Sequence, residues 1–324
     1  MTDSLALLKY RQAFKKSTRA FFESRQYLEV DTPIVTRCPG TEVHLQYFET
    51  SWTDHSGLTH HRWLRSSPEL HMKRLMAQGL ERAFQIAPCF RNRGEMSEWH
   101  NPEFTMLEWY QMGLSYRGMI QETEEFLRAT ADDLASITGI RPETILPDKF
   151  ELVGVYDAFK NWAGITLVDG DPDLARQAMD AGVYSVQPKD DFETAYFKTL
   201  IEKIEPVTAS MRGCVLMDYP PSQAALSVVE NGKACRFEFY LGRVELCNGF
   251  YELTGEENNR ARIGEALRER VKQGNSPVPE DEDFYIAMRK FDRPCAGNAL
   301  GFDRWLALLQ NADSLDSAIS FRGI

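Results

Sequence analysis

The order of the predicted helices and strands is the feature that most constrains how this chain of 324 residues can fold. Amphipathic periodicity predicts a first helix over about 5–25 and a last one over about 302–310. Apolar or alternating runs predict the main strands, at about 82–90, 102–112, 213–217, 235–241 and 243–253. This order lacks the regular βαβ alternation of a doubly wound parallel sheet. The sequence therefore predicts an α+β fold, an antiparallel sheet flanked by helices.

Three stretches between these elements are predicted with less regular structure. The polar, turn-rich residues 51–61 are predicted to form a loop between a strand at 43–50 and a short strand at about 62–65. Residues from about 136 to 206 are mixed and loop-rich, and we interpret them as an insertion. Its helical pieces are predicted near 151–161, 173–182 and 191–204. A further helix is predicted to begin at Ser67-Pro68-Glu69, with proline in its first turn.

Composition excludes several broad classes of protein. Hydrophobic residues make up 43% of the chain, which is enough for a core and excludes global disorder. No apolar run reaches the length of a membrane helix, and the first residues do not resemble a signal peptide. The six cysteines are scattered without a C-x-x-C pair, so a zinc ribbon or disulfide framework is not expected and a reducing cytoplasm is. A net charge of −11 argues against a broad nucleic-acid footprint.

The first group of residues that could carry chemistry joins two predicted strands. Phe90-Arg91-Asn92-Arg93 ends one strand, and His100-Asn101-Pro102-Glu103-Phe104 begins the next. A guanidinium matches phosphate oxygens bidentately, so such a loop can hold a phosphate while a phenylalanine stacks on a base. The alternative is an ordinary charged, solvated hairpin.

The second group lies on the predicted strand pair that turns at Gly242. Residues two apart in a strand share a face, and the hairpin is expected to bring Glu238 and Glu245 across from each other. Two carboxylates on one face suit Mg²⁺, which leaves its other positions to phosphate and water. The alternative is that these are outward-facing strand residues without a function. The sequence Asn248-Gly-Phe250, which is unusual in a strand, favours the functional interpretation.

The third group runs from Gly297 to Arg304, into the last predicted helix. We interpret it as a glycine-rich turn that allows close approach of the backbone to a ligand, with Arg304 one turn into the helix. It fits neither a P-loop nor a dinucleotide-binding fingerprint. On its own, such a turn is more typical of packing.

Together the three groups resemble the class II aminoacyl-tRNA synthetases. The first helix with its following strand and Pro33 resembles motif 1, the dimer-forming element; Phe90 to Phe104 resembles motif 2; and Gly297 to Arg304 resembles motif 3. The details are similar to lysyl-tRNA synthetase, and more so to its shortened paralogue, the elongation factor P lysine aminoacylase family. The strings that carry this resemblance are HNPEFTMLEWY, RFEFYLGRVELCNGFYEL and ALGFDR. The resemblance extends from about residue 5 to 320.

The resemblance implies an ATP site. It implies that Arg91 holds the α-phosphate, that Phe104 stacks on adenine and that Arg304 contacts the γ-phosphate end, which makes the two arginines the catalytic residues. Glu238 and Glu245 would bind Mg²⁺. The remaining ATP contacts that it implies are Asn92, Arg93, His100, Asn101, Glu245, Leu246 and Gly301.

The resemblance also implies a site for a dibasic amino acid. Ser67-Pro68-Glu69 matches the segment that receives the α-amino region, and Tyr110 and Glu252 match the residues that receive the distal ammonium. Glu108, Asn248 and Phe250 would line the pocket. Chemistry agrees, because a dibasic ligand needs buried carboxylates, which Glu69, Glu108 and Glu252 supply. The alternative for Glu108 is a structural hydrogen bond within the strand pair.

The chain departs from the family pattern in motif 2. Members of the family have glutamate two residues after the motif 2 arginine, where this chain has Arg93. The loop up to His100 is also one residue longer than is usual. We expect that Glu95 takes the missing role through a shift of register.

The expected activity follows from what the resemblance includes and omits. The motif 1 helix begins near residue 5, so we expect one catalytic domain over 1–324 and no anticodon-binding OB-fold before it. This predicts ATP-dependent, AMP-forming activation of (R)-β-lysine or lysine, with transfer to a lysine side chain of elongation factor P rather than to tRNA. Ala299, where lysyl-tRNA synthetases have glycine, supports the paralogue family. A homodimer in the cytoplasm, using ATP and Mg²⁺, is expected.

Two other functions stay open at this point. One is the same chemistry with another acceptor, as in a truncated lysyl-tRNA synthetase. The other is a catalytically silent paralogue with a regulatory role. Such paralogues commonly lose the motif 2 or motif 3 arginines, whereas this chain keeps Arg91 and Arg304.

Overall fold

The structure is a computed structural model that describes residues 4–94 and 96–322. Its helices are α1 (Ser4–Ser24), α2 (Glu69–Met76), α3 (Tyr116–Thr138), α4 (Pro142–Ile145), α5 (Val155–Ala158), α6 (Leu174–Asp180), α7 (Phe192–Thr199), α8 (Glu205–Ser210), α9 (Glu256–Lys272), α10 (Glu282–Met288) and α11 (Phe302–Leu308). Its strands are β1 (Leu28–Glu29), β2 (Val35–Thr36), β3 (Glu49–Thr53), β4 (Thr59–Leu64), β5 (Arg82–Phe90), β6 (Glu103–Met112), β7 (Glu151–Gly154), β8 (Cys214–Tyr219), β9 (Val229–Glu230), β10 (Lys233–Leu241), β11 (Val244–Tyr251) and β12 (Cys295–Gly301). The predicted α+β class is confirmed.

The chain forms two compact units. The first takes the described residues up to Pro142 and from Tyr251 onward, and the second takes Glu143–Phe250. The predicted insertion at about 136–206 falls almost entirely in the second unit. That the chain is a single domain stays a prediction. No helix in the described part of the chain is long and apolar enough to cross a membrane.

The first unit is built on strands in the order β1, β5, β6 and β12. The pairs β5–β6 and β6–β12 are antiparallel, and β1 pairs with β5 in parallel. One face of this sheet is covered by α1 and α3 through a core of aromatic rings. Phe22 stacks on Phe84 at 4.7 Å and lies 5.4 Å from Trp109, measured between ring centroids. This aromatic packing explains the 3.6-residue periodicity of the first predicted helix.

The second unit is built on strands in the order β11, β10, β8 and β7. The pairs β10–β11 and β10–β8 are antiparallel, and β7 runs parallel to β8. The predicted turn is confirmed: Leu241 pairs with Val244, and Gly242 has a φ of 54°. A tight two-residue turn of this kind needs positive φ, which glycine adopts without strain.

The structure corrects four predictions of secondary structure. The strand predicted at 43–50 is present only at its end, where β3 begins at Glu49. Residues 51–61 form most of the β3–β4 hairpin, whose turn closes where Oδ1 of Asp54 accepts from the backbone N–H groups of Ser56 and Leu58. Residues 151–154 form strand β7 beside β8 instead of the start of a helix. Residues 295–301 form strand β12 instead of a turn, because their small side chains fit a buried strand that pairs with β6.

Candidate functional site

A buried cluster of charged side chains lies in the first unit, between α2, β6 and the residue that follows β11. Nζ of Lys73, which is fully buried, lies 2.6 Å from Oε1 of Glu69 and 2.5 Å from Oε2 of Glu252. Glu108 and Glu252 each expose only 1% of their surface. The structure thus brings together the predicted diamine residues Glu69, Glu108, Tyr110 and Glu252.

Lys73 was missed by the reasoning from sequence, although the sequence carries a signal for it. It lies four residues after Glu69 in α2, on the same helix face as the buried Leu70 and Met76. A lysine on the apolar face of a helix with an acidic residue one turn before it is typical of a buried ion pair.

Two carboxyl groups of this cluster, those of Glu108 and Glu252, have raised pKa values. Burial, and next the charge of Glu69, raise the pKa of Glu108 to about 8. Burial also raises the pKa of Glu252, to about 7, against the opposing effect of Lys73. Although burial alone would lower the pKa of Lys73, its two carboxylate neighbours outweigh that effect and raise it. Near neutral pH, Lys73 therefore carries a charge and Glu108 is largely a neutral acid.

Tyr110 contacts Glu108 within the pocket, and both lie on the same face of β6 because they are two residues apart. The hydroxyl of Tyr110 donates to Oε2 of Glu108 at 3.0 Å. The structural alternative for Glu108 therefore describes a contact that exists, but the contact lies inside the same pocket as Lys73.

Replacing Glu108 with glutamine is expected to flatten the dependence of stability on pH. Because the folded pKa is raised, the stability contributed by Glu108 is present below the ordinary value of 4.5 and is lost as the pH rises through about 8. Between about pH 6 and pH 9 the wild type should lose on the order of 2 kcal/mol more than Glu108→Gln. Urea unfolding at both pH values measures this. Equal losses in the two proteins would contradict it.

Gly297 in β12 forms one wall of this cluster. A Cβ atom there would lie within 3.0 Å of both Oε1 of Glu252 and the ring of Tyr110. The predicted close approach is thus real, but it is made to these two side chains by a strand residue.

Replacing Gly297 with alanine is expected to destabilise the fold by about 1–3 kcal/mol, because the methyl group must displace Glu252 or Tyr110. It should also weaken the binding of the dibasic ligand that the resemblance implies. Thermal unfolding and substrate titration measure the two effects. Gly264→Ala on α9 serves as the control, because there the nearest atom to a new Cβ is the mobile end of Arg268, at 3.3 Å.

Arg91 and Phe104 face each other across the β5–β6 pair. The guanidinium carbon of Arg91 lies 5.1 Å from the centroid of the Phe104 ring, a cation–π contact. Nε of Arg91 is buried and has no hydrogen-bond partner within the described part of the chain. Because a buried donor without a partner is costly, this atom points to a ligand that accepts a hydrogen bond. Ala299 packs beside Phe104 against a small core of Ala87, Cys89 and Met106.

Arg304 contacts the motif 2 loop. Its Nη2 lies 2.8 Å from Nε2 of His100, and its Nε donates to the carbonyl of Trp99 at 3.2 Å. Since a guanidinium only donates, Nε2 of His100 accepts, and Nδ1–H donates to Oγ of Ser97 at 2.8 Å. His100 and Arg304, predicted separately, are therefore direct neighbours. Gly301, the last residue of β12, comes directly before the helix that carries Arg304.

The segment after α11 braces this loop. The N–H of Leu315 donates to the carbonyl of Glu98 at 2.8 Å. The guanidinium of Arg322 donates to the carbonyls of Ser97 and His100. Sequence reasoning gave no function to these residues.

The remaining motif 2 residues make local contacts. The N–H of Asn92 donates to the carbonyl of Gln46 at 2.9 Å, and the amide of Asn101 donates to the carbonyl of Glu103 at 2.6 Å. Arg93 is exposed and has a φ of 51°. Glu95, which was expected to compensate for Arg93, lies outside the described residues.

At the start of α2, Oγ of Ser67 accepts from the N–H of Glu69 at 3.2 Å, and Pro68 is buried just before the helix. This local turn orients Glu69, whose carboxylate reaches Lys73 one turn along the same helix. The predicted segment Ser67-Pro68-Glu69 therefore leads into the buried cluster.

The predicted metal pair lies in the second unit, with a register that differs from the expected one. Glu238 lies opposite Asn248, and Glu245 lies opposite Tyr240, because the register shifts between Phe239 and Tyr240. The two glutamates are therefore diagonal neighbours and not directly opposite. The hydroxyl of Tyr240 donates to Glu238 at 2.8 Å, and Tyr240 is also the residue that pairs with Glu245, so the two glutamates share one face of the hairpin.

Glu238 is already well satisfied. It pairs with Arg236 at 2.5 Å and accepts from the hydroxyl of Tyr219 at 2.6 Å. Nε of Arg236 also donates to Oδ1 of Asn248 at 3.2 Å. Among residues 4–94 and 96–322 no group of three or more His, Cys, Asp or Glu side chains could hold a metal ion. Two carboxylates on one face still fit Mg²⁺, which needs only one or two from the protein.

The other two predicted residues of this hairpin lie beside that pair. Leu246 is buried, and Phe250, which is partly buried, pairs with Arg236 across β10 and β11.

Comparison with known proteins shows what the whole chain is similar to. The chain matches the family model of class II tRNA synthetases (D, K and N) over residues 2–323. It is 32% identical to the elongation factor P–(R)-β-lysine ligase of Photobacterium profundum, over 99% of this chain and 96% of that protein. It is 31% identical to the protein of the same name from Vibrio cholerae, with the same coverage. A third, from Pseudoalteromonas translucida, is 32% identical over 98% of this chain and 95% of its own length.

Proposed function

The chain belongs to the family of class II tRNA synthetases (D, K and N), and from this premise we propose that it is a ligase that couples (R)-β-lysine or lysine to elongation factor P. The observation that carries the proposal is the buried cluster of Glu69, Glu108 and Glu252, whose carboxyl oxygens can accept hydrogen bonds from a ligand with two ammonium groups. The relatives named as elongation factor P–(R)-β-lysine ligases match the chain over nearly its whole length.

We propose that the first step forms an aminoacyl-adenylate from ATP. The substrate carboxylate attacks the α-phosphate, a new C–O–P linkage forms, and the bond to pyrophosphate breaks. Arg91 donates to the α-phosphate as its charge develops, and Arg304 receives the leaving pyrophosphate. Glu238 and Glu245 would hold Mg²⁺, whose charge offsets that of the phosphates. Binding and electrostatics then carry the step, without a protein nucleophile.

In the second step the amine of the acceptor lysine attacks the carbonyl of the adenylate. An amide forms, AMP leaves with the electron pair of the broken C–O bond, and the amine loses a proton. The attacking amine must be neutral, because a protonated amine has no free electron pair. We propose that the leaving phosphate takes this proton, since no side chain has been assigned as a base.

We further propose a homodimer in a reducing cytoplasm. Exposed apolar side chains lie on α1, β1 and β2, including Leu8, Leu28 and Val35, which are about half exposed. Apolar side chains left exposed on a helix and on two short strands favour pairing with a second chain. All six cysteines are buried and none forms a disulfide within the described part of the chain, which suits a reducing compartment.

Mass spectrometry of elongation factor P tests the proposed activity. Incubation of both proteins with ATP and (R)-β-lysine should add one lysyl residue to a single lysine of elongation factor P. Parallel incubations use L-lysine as the donor, or tRNA as the acceptor. Transfer only to tRNA would favour the truncated synthetase, and no adenylate with any donor would favour a silent paralogue. Either outcome would overturn the proposal.

A further inference from the structure

We propose that Lys73 is a specificity-determining residue, which sets the spacing of two substrate-binding carboxylates and so selects between diamine isomers. The proposal rests on the proposed function, because it takes the buried cluster as the site of a diamine. It concerns a residue that has no part in the chemical step, since Lys73 would act through Glu69 and Glu252.

The geometry places one ammonium between two carboxylates. Oε1 of Glu69 and Oε2 of Glu252 both contact Nζ of Lys73, at 2.6 and 2.5 Å. These two oxygens therefore cannot lie farther apart than the sum of the two distances. Glu69 comes from the first turn of α2 and Glu252 from the residue after β11, so the lysine ties together two elements that are distant in sequence.

The charge of Lys73 makes this arrangement stable. Two carboxylates held this close in a buried site repel each other strongly, and one of them would otherwise take up a proton. Lys73 lies between the two carboxyl groups and offsets this repulsion, and each group has a second oxygen that does not contact the lysine. Oε1 of Glu252 lies against Gly297, where a Cβ atom would come within 3.0 Å of it.

A fixed spacing of two carboxylates favours one spacing of two amines. In β-lysine the amino groups are one carbon closer along the chain than in α-lysine. If the carboxylates are fixed, only one isomer can place an ammonium against each of them without strain. Without Lys73 the carboxylates are free to adjust to either isomer.

The rival explanation is that Lys73 occupies the place of a substrate amine and competes with it. In that case its removal would strengthen binding of both isomers equally. A purely structural role would instead weaken the binding of both isomers by the same factor. The ratio of the two affinities therefore distinguishes the proposal from both rivals.

The test compares Lys73→Met with the wild type by calorimetric titration of (R)-β-lysine and L-lysine, without ATP. Lys272→Met is the matched control, since this side chain is 75% exposed on α9. The ratio of the two dissociation constants should move toward one by at least about tenfold in Lys73→Met, and stay unchanged in the control. If Lys73→Met does not fold, Lys73→Gln, which keeps a hydrogen-bond donor, takes its place.

An unchanged ratio in a folded variant overturns the proposal, whether both affinities rise or both fall. A wild type that binds neither isomer overturns it as well. ATP–pyrophosphate exchange is measured beside the titrations to separate the two proposals. A wild type that discriminates between the isomers but does not catalyse exchange contradicts only the proposed function.

Discussion

Replacing Arg91 with alanine is expected to lower the rate of ATP–pyrophosphate exchange by about a thousandfold, the loss typical of removing one charge-stabilising donor. The buried Nε of Arg91 has no hydrogen-bond partner within the described part of the chain, and its guanidinium lies against Phe104. A phosphate oxygen would satisfy this donor. Arg91→Lys should recover little, because a lysine keeps the charge but loses the planar fork.

ATP–pyrophosphate exchange also tests Arg304, for which we propose two roles: it binds ATP and it orders the motif 2 loop. Arg304→Ala should reduce exchange by about a hundredfold or more, mainly by weakening the hold on ATP. His100 and the carbonyl of Trp99 would also lose their donor, so the loop should become less ordered. Arg117→Ala, on the exposed start of α3, is the control for general loss of an arginine. Exchange that persists undiminished in Arg91→Ala and Arg304→Ala would rule out the proposed mechanism.

Replacing Glu252 with alanine is expected to have the largest combined effect on folding and binding. Lys73 would lose one of its two carboxylate partners in a site that excludes water, and breaking a buried ion pair costs about 3–5 kcal/mol. Binding of the diamine should also weaken by at least about a hundredfold, because a charge-assisted hydrogen bond to its ammonium is lost. Guanidinium unfolding and calorimetry measure these effects.

Two further variants separate the loss of binding from the loss of stability. Glu252→Gln keeps the shape of the side chain, so it should lose binding with a smaller loss of stability than Glu252→Ala. Glu257→Gln, on the exposed surface of α9, should change neither quantity. If Glu252→Gln binds the diamine as tightly as the wild type, Glu252 does not receive an ammonium.

The strand pair that carries much of the site could be predicted closely from sequence. Alternating apolar residues fixed β5 and β6 to within a residue, and the spacing of Glu108 and Tyr110 put both on one face. The turn at Gly242 was also predicted, because a glycine between two strand-like runs is typical of a hairpin turn.

Other features could not be predicted from the local sequence, because they depend on contacts between residues that are distant in the chain. The shift between Phe239 and Tyr240 moves Glu245 opposite Tyr240, and nothing in the local sequence marks it. Residues 295–301 look like a turn by composition, yet pairing with β6 makes them a strand. Tertiary pairing overrides local preference in such cases. Lys73 belongs to the same class, since one of its partners lies far away in sequence.

The wall formed by Gly297 has a consequence for attempts to redirect the enzyme. Glycine is already the smallest residue, so position 297 cannot be made smaller. Any larger residue there would collide with Glu252 and Tyr110. Room for a bulkier ligand must therefore come from the side chains that face Gly297, for example by replacing Tyr110 with a smaller residue. A library of pocket variants should keep the glycine constant and randomise the residues that face it.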